Sequence, residues 1–417
     1  MEMKVSPSKL IGRVAAPSSK SFSHRMLIAA ALAEGVSEVS GISASKDIEA
    51  TVGAMNALGA KIFSEDGLYT VMGIKEPAEK ADINCFESGS TLRFIIPIAA
   101  ALGCDCKFYG SGKLPERPIT PYIREFGKHG VSIVREEGVM PFSMSGRLTG
   151  GCYELEGDVS SQFITGLLFA LPLCKEDSVI KLTSKLESKP YADMTVKSLA
   201  AFGIDIEESV SENGFLIYNI KGGQKYRKTA VSAEGDYSQA AFYFVANALG
   251  AEITVDNLDP NSVQGDKKIL EIVQKIGYNK INGRLSAFTV DVTDIPDLVP
   301  ILTVLGCFTD GISRIVGAKR LKIKECDRLA AISQAMNNIG GKVTAKDDEL
   351  EIHPIEKFRG GRIDGCNDHR IVMASAIAAI MSDGDIIITD ADAVKKSYPD
   401  FWKDYRSLGG KAEEYAE

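Results

Sequence analysis

Hydrophobic and polar positions along the chain repeat a single phrase at intervals of roughly 70 residues, the spacing of stacked structural repeats. Each copy closes with an amphipathic helix pattern, a glycine and a short alternating segment. The closings are Ala57-Leu-Gly59-Ala-Lys-Ile, Lys128-His-Gly130-Val-Ser-Ile, Ala201-Phe-Gly203-Ile-Asp-Ile, Lys275-Ile-Gly277-Tyr-Asn-Lys, Asn338-Ile-Gly340-Gly-Lys-Val and Ser407-Leu-Gly409-Gly-Lys-Ala. Glycine fits there because a helix often ends on a left-handed residue that satisfies its last carbonyls. Each copy opens on a short polar phrase ahead of a nearly all-apolar helix. The openings are Ser18-Ser-Lys-Ser-Phe, Glu87-Ser-Gly-Ser-Thr, Ser160-Ser-Gln-Phe, Asp236-Tyr-Ser-Gln, Asp294-Ile-Pro-Asp and Asn367-Asp-His-Arg. Ser, Asp and Asn in those places are helix N-cap residues. A helix that is apolar all round must be enclosed on every side. Three such helices per half predict an α/β protein of two similar globules with buried helices.

The apolar runs Phe94–Cys104, Phe163–Cys174, Leu298–Phe308 and Ile371–Met381 suit core helices and fall short of the ~20 residues that span a membrane. The start, Met1-Glu-Met-Lys-Val-Ser-Pro-Ser, carries no apolar segment behind a basic one, so no signal peptide and a cytoplasmic location are expected. With 417 residues, 45% hydrophobic and 25% charged, the chain has the size and composition of a two-domain globular enzyme. A net charge of −8 argues against a nucleic-acid-coating protein. The cysteines, Cys85, Cys104, Cys106, Cys152, Cys174, Cys307, Cys326 and Cys366, form no CxxC pair and read as buried, reduced thiols. Four histidines and no HExxH pattern predict no metal site, and no cofactor is expected.

Cations concentrate at the helix openings despite the acidic average. Lys20, Arg25, Arg93, His369 and Arg370 stand in or beside them, and Arg117, Lys324, Arg328 and Lys396 stand in loops. Helix N-termini offer free N–H groups and a positive dipole end. Adding guanidinium and ammonium groups there predicts sites for small polyanions, foremost phosphates. Any one of these residues alone would be an ordinary surface cation. Gly110-Ser-Gly-Lys113 ends like a P-loop but lacks its first glycine and its Ser or Thr.

The phrases themselves resemble the 5-enolpyruvylshikimate-3-phosphate synthases of the enolpyruvyl transferase family. The resemblance rests on Pro17-Ser-Ser-Lys-Ser-Phe-Ser-His-Arg25, Leu114-Pro-Glu-Arg-Pro, Val159-Ser-Ser-Gln-Phe, Ser188-Lys-Pro-Tyr and Ala233-Glu-Gly-Asp-Tyr-Ser. It continues through Gln264-Gly-Asp, Ile295-Pro-Asp, Lys324-Glu-Cys-Asp-Arg, Asn367-Asp-His-Arg and Lys396-Ser-Tyr-Pro, in family order almost from end to end. It implies two domains, 19–236 and 1–18 with 237–417, each of three βαββαβ repeats in an inside-out α/β barrel, with the active site in the interdomain cleft. It also implies transfer of the enolpyruvyl group of phosphoenolpyruvate to the 5-hydroxyl of shikimate 3-phosphate by a monomer that needs neither nucleic acid nor membrane.

Carried over position by position, the resemblance assigns shikimate 3-phosphate to Lys20, Ser21, Arg25, Ser160, Ser161, Gln162, Ser188, Tyr191, Asp297 and Lys324. Phosphoenolpyruvate falls to Lys20, Gly89, Arg117, Gln162, Arg328, Arg370 and Lys396. Asp297 is the expected base, Glu325 the expected proton carrier at the methylene carbon, and Lys20 a third catalytic group. Without the resemblance, Asp297 reads as a helix cap and Glu325 as a surface ion-pair partner.

The chain departs from the family phrase around Gly89, where Glu87 adds a carboxylate beside an expected anion site, and at Arg320, where some members have Asn. The sister transferase acting on UDP-N-acetylglucosamine has Lys-Asn where this chain has Lys20-Ser21. It also carries a loop cysteine that Gly110-Ser-Gly-Lys-Leu-Pro-Glu lacks. A non-catalytic binding protein would be expected to lose Asp297 and Glu325, and an RNA cyclase would be expected to show a basic face.

Overall fold

The computed structural model describes residues 1–135, 140–278 and 284–416. The chain divides into two compact units, Ser18–Glu234 and Met1–Pro17 with Gly235–Glu417, so it crosses between units twice. Strands β1 (Glu2–Ser6) and β2 (Ile11–Ala15) belong to the split unit.

The continuous unit begins with α1 (Lys20–Leu32), β3 (Val36–Ser40), α2 (Lys46–Ala57), β4 (Lys61–Glu65) and β5 (Leu68–Met72). Next come β6 (Lys80–Asn84), α3 (Gly89–Leu102), β7 (Asp105–Tyr109), α4 (Thr120–Phe126), β8 (Val131–Arg135) and β9 (Phe142–Gly146). It ends with β10 (Gly151–Leu155), α5 (Ser161–Ala170), β11 (Ser178–Leu182), α6 (Lys189–Ala201), β12 (Ile206–Val210), β13 (Leu216–Ile220) and β14 (Ala230–Ser232). Its sheets have one plan, β14-β3-β5-β4, β6-β7-β9-β8 and β10-β11-β13-β12. In each, the first pair is parallel and the rest antiparallel. Counted from its parallel strand, a module runs βαβαββ, so both helices precede the closing hairpin rather than flank it. Strand β14 supplies the missing first strand of the opening module.

The split unit repeats the plan. Its elements are α7 (Tyr237–Ala248), β15 (Glu252–Asp256), α8 (Ile269–Tyr278), β16 (Thr289–Asp291), α9 (Val299–Gly306) and β17 (Ser313–Val316). They continue with α10 (Arg328–Asn338), β18 (Val343–Ala345), β19 (Glu349–Ile352), β20 (Gly361–Ile363), α11 (His369–Ala378), β21 (Ile386–Ile388), α12 (Phe401–Ser407) and β22 (Lys411–Tyr415). Its sheets are β16-β17-β19-β18 and β20-β21-β1-β22, with β2 paired parallel to β15. The amino-terminal strands thus complete one module and begin another.

Burial follows the pattern read from the sequence. Every residue of α9 and α11 is buried, and nearly all of α3 and α5, whereas α2, α6 and α10 bury one face. The closing glycines Gly59, Gly130, Gly203, Gly340 and Gly409 take left-handed φ between +79° and +113°. Gly277 differs: it lies inside α8, and Asn279 and Lys280 of its phrase lie outside the described residues. Among the described residues no helix is long and apolar enough to cross a membrane.

One contact shows how closely the inner helices pack. Pro97 lies within α3 and has no N–H to give the Arg93 carbonyl one turn earlier. The Tyr122 hydroxyl lies between that carbonyl, at 2.7 Å, and the Phe163 carbonyl of α5, at 2.9 Å, and shares its one proton between them. Gly166 of α5 allows the approach, since a Cβ there would sit 2.3 Å from both the Arg93 oxygen and the Tyr122 hydroxyl.

The cysteines depart in part from the expectation of burial. Cys85, Cys104, Cys106, Cys174 and Cys307 are buried, but Cys152 is exposed on an outward position of β10. Cys326 and Cys366, in loops, are partly exposed.

Candidate active site

In the unit Ser18–Glu234, polar side chains tie the first turns of the helices together. Lys20 of α1 pairs with Asp47 of α2 at 2.8 Å. Thr51 of α2 and Thr91 of α3 share a 2.7 Å hydrogen bond, and Gln162 of α5 donates to Ser90 of α3 at 3.0 Å. Arg25 reaches from α1 to α6, donating to the Ser21 carbonyl at 2.7 Å, the Tyr191 carbonyl at 2.8 Å and Thr195 Oγ1 at 2.8 Å. These bonds gather the N-terminal ends of the helices, each with free N–H groups and a positive dipole end. Ser19, Ser88 and Ser160 cap α1, α3 and α5 through their hydroxyls, as the opening phrases predicted. Ser161 begins α5 and is buried. Arg25 spends most of its donors inside the unit, and burial pushes its guanidinium down to about 9.

Gly89 and Arg117 meet here. A Cβ on Gly89 would lie 2.6 Å from Arg117 Nη1 and 2.8 Å from its Cζ, so the guanidinium lies close against the start of α3. Arg117 is 9% exposed, and its Nε has no hydrogen-bond partner among the described residues. A buried guanidinium with an unused donor favours an incoming anion.

Arg93, noticed in the sequence only as one of the cations, lies beneath. Its Nη1 donates to Gln162 Oε1 at 2.6 Å and its Nη2 to the Pro118 carbonyl at 3.3 Å, with the guanidinium over the Phe163 ring. It thereby fixes both Gln162 and the residue after Arg117. With Oε1 held by a cation, Gln162 turns its amide NH2 toward Ser90. The Glu87 carboxylate lies over the loop glycine Gly112, where a Cβ would meet its Cδ at 2.7 Å. Ser188, at the start of α6, holds a left-handed φ of +57°. A non-glycine residue in that conformation costs about 1–2 kcal/mol and persists where the surroundings impose it.

In the split unit the chemistry centres on Arg328, which is fully buried. It donates to Asp297 at 2.9 Å, Glu325 at 2.6 Å and Asp368 at 2.7 Å. Arg370 donates to the other Asp297 oxygen at 2.8 Å. Asp297 is no helix cap: Pro296 starts a 3-10 turn, Pro296–Leu298, which leads into α9 without a side-chain cap and leaves the carboxylate to the two arginines. Burial alone would raise the Asp297 carboxyl, but Arg370, Lys324 and Arg328 outweigh it and hold the group well below the usual carboxylate range. Burial pushes the Lys324 ammonium down to about 8, against the pull of Asp297. Lys396 donates to the Asn367 carbonyl at 2.8 Å, just before the start of α11. Arg320 donates to the Thr293 carbonyl at 2.9 Å.

Two groups escaped the sequence reading. Asp368 anchors Arg328 and caps α11. Asp266, in Gln264-Gly-Asp, is buried and accepts a hydrogen bond from Ser238, and burial together with the nearby Asp297 raises its carboxyl to about 7. The signal for both was the family phrase; their partners lie far away in sequence.

The structure therefore ties Lys20, Ser21, Arg25, Gln162 and Tyr191 by hydrogen bonds to the starts of α1, α2, α3 and α6, and sets Arg117 against Gly89 at the start of α3. It brings Asp297, Glu325, Arg328 and Arg370 into a second, around Arg328. βαβαββ modules whose apolar helices begin among buried cations define a repeat-built α/β protein suited to small polyanions. The EPSP synthase (3-phosphoshikimate 1-carboxyvinyltransferase) family matches residues 5–405, and the chain belongs to that family. It is 42% identical to a 3-phosphoshikimate 1-carboxyvinyltransferase of Clostridium kluyveri, over 99% of each chain. It is 40% identical to the protein of that name from Clostridium beijerinckii, covering 99% of this chain and 98% of the relative. A solved EPSP synthase structure from Acinetobacter baumannii is similar at a TM-score of 0.82 and 25% identity, covering 99% of this chain and 100% of that one.

Proposed function

We propose that this chain transfers the enolpyruvyl group of phosphoenolpyruvate to the 5-hydroxyl of shikimate 3-phosphate, a step of aromatic amino acid biosynthesis, and that the two networks share the work. The hydroxyl oxygen adds to the central carbon of phosphoenolpyruvate while its methylene carbon takes a proton. The tetrahedral adduct then loses that carbon's proton and expels phosphate.

Ser160, Ser161, Ser188, Tyr191, Lys20, Ser21 and the remaining Nη1 donor of Arg25 hold shikimate 3-phosphate. Gly89, Arg117, Gln162, Lys20, Arg328, Arg370 and Lys396 hold phosphoenolpyruvate. Asp297 accepts the hydrogen bond of the 5-hydroxyl. Lys324, near its point of half-protonation at mildly alkaline pH, lies beside Asp297 to exchange the proton that this strongly ionised carboxylate holds poorly. Glu325, fixed by Arg328, carries the proton to and from the methylene carbon. The preset guanidinium groups stabilise charge on the carboxylate and the departing phosphate as it develops. The reading takes the enzyme as a monomer of the cytoplasm.

The buried Arg117 guanidinium with its unpartnered Nε, against Gly89, carries this reading. Titration of phosphoenolpyruvate into Arg117→Met with shikimate 3-phosphate present is expected to show affinity lower by roughly 10- to 150-fold, the worth of a charged hydrogen bond of about 1.5–3 kcal/mol. Binding of shikimate 3-phosphate alone should persist. Unchanged phosphoenolpyruvate affinity would remove Arg117 from the site.

A further inference from the structure

A line of polar side chains crosses the unit Ser18–Glu234 from α1 through α2 to α3. His24 of α1 is buried, and its Nδ1 lies 2.7 Å from Thr51 Oγ1 on α2. Thr51 Oγ1 lies 2.7 Å from Thr91 Oγ1 on α3, and Thr91 Oγ1 lies 2.8 Å from Ser88 Oγ. The Asp47 carbonyl, at 3.4 Å, is a more distant alternative for the Thr91 hydroxyl. Thr51, Thr91 and Ser88 are buried as well. The Ser88 hydroxyl caps α3 by accepting from the Thr91 N–H at 3.2 Å. Its two successors face the site: the Arg117 guanidinium lies against Gly89, and Ser90 accepts from the Gln162 amide. At the other end, His24 Nε2 has no hydrogen-bond partner among the described residues, and the Phe94 ring meets the imidazole at a right angle.

The bare Nε2 gives this line a direction. Burial keeps the imidazole neutral, its titration pushed down to about 3, so the ring carries a single proton. A buried N–H without a partner is rarer than an acceptor without one, which puts that proton on Nδ1. His24 then donates to Thr51, Thr51 to Thr91 and Thr91 to Ser88. We propose that His24 is a positioning residue for phosphoenolpyruvate: through this relay it fixes the Ser88 cap and, with it, the first turn of α3 that carries Gly89 and Ser90. Every member of the relay is uncharged, so it acts on geometry and leaves the charge of the site alone. Loosening it lets Gly89 shift under Arg117 and Ser90 shift under Gln162, which weakens binding. Proton transfer is untouched, because Asp297 and Glu325 belong to the other unit. The choice of ligand rests on the proposed function; the relay itself does not.

The test compares His24→Leu, which keeps bulk and loses the donor, with His24→Asn, whose amide N–H can stand where Nδ1 stands. Thr51→Val breaks the relay from α2 and serves if the leucine variant does not fold. Amide hydrogen exchange of the substrate-free full chain, read by mass spectrometry, should quicken in the peptide that contains Ser88–Arg93 for His24→Leu and Thr51→Val, and stay at the parent rate for His24→Asn. In turnover, His24→Leu and Thr51→Val should each raise KM for phosphoenolpyruvate by roughly 2- to 13-fold, the worth of one neutral hydrogen bond, with kcat unchanged. The asparagine variant should restore it, and the double variant should show no more than the larger single effect. Additive effects, or unchanged exchange at the start of α3, would overturn the relay. Quickened exchange with an unchanged KM, or an equal rise in KM for shikimate 3-phosphate, would overturn its assignment to phosphoenolpyruvate. A parent chain without turnover would count against the proposed function, and the exchange measurement would still decide the relay.

Discussion

Replacing Gly166 with alanine tests the packing that holds Arg93 and, through it, Gln162. Glycine inside a helix is ordinarily a weakness, and alanine there stabilises by about 1 kcal/mol. At this position the added Cβ would lie 2.3 Å from the Arg93 carbonyl oxygen, 2.3 Å from the Tyr122 hydroxyl and 2.8 Å from Pro97 Cγ. Carbon–oxygen contacts settle near ~3.3 Å or beyond, so α3 and α5 must part by about 1 Å. Overpacking of that kind costs about 1–3 kcal/mol. Parting also strains the Tyr122 bond to the carbonyl that Pro97 leaves unpaired, and a buried carbonyl without a partner costs about 1–3 kcal/mol. Against the gain in helix propensity, the net is a loss of roughly 1–5 kcal/mol. Urea unfolding followed by circular dichroism should show a lower midpoint for Gly166→Ala. A midpoint equal to or above that of the parent chain would refute the close approach, because the two accounts differ in sign.

Other consequences concern protons. Folded Asp266 keeps its proton up to about 7, whereas an unfolded aspartate loses it near ~3.9. Between those values the folded state binds the extra proton, so this group's contribution falls as pH rises. Its charged neighbours are Asp297, Asp236 and Arg370; Asp297 stays ionised, folded or unfolded, from pH 5 to 8 and adds no slope there. Asp266→Asn should therefore gain stability relative to the parent between pH 5 and pH 8, and parallel curves would contradict a protonated Asp266. For Glu325→Gln, turnover should fall by about 100-fold or more while substrate binding changes little. A raised KM at unchanged kcat would remove Glu325 from the chemistry.

The repeat, the buried helices and most caps were legible in sequence because each follows from local pattern. An apolar run with no polar face has to be enclosed, and Ser19, Ser88, Ser160, Asp236 and Asp368 each cap the helix that follows. Asp297 looked like another cap, but Pro296 turns its phrase into a 3-10 turn and gives the carboxylate to Arg328 and Arg370. The roles of single cations were legible only through family resemblance. Nothing local distinguishes Arg117, buried with an unused donor, from Arg13, which pairs with Asp256 in solvent. The clamp of Arg93 on Gln162 and the close approach that Gly166 allows each depend on partners from separate repeats. Periodicity carries no information on such pairs.

The central claim is the reaction itself. Phosphate release should be followed with phosphoenolpyruvate and shikimate 3-phosphate, beside a parallel sample in which UDP-N-acetylglucosamine replaces the shikimate ester. Release only with the shikimate ester is the expected result. Release only with the sugar nucleotide, or none with either acceptor from folded protein, would contradict it.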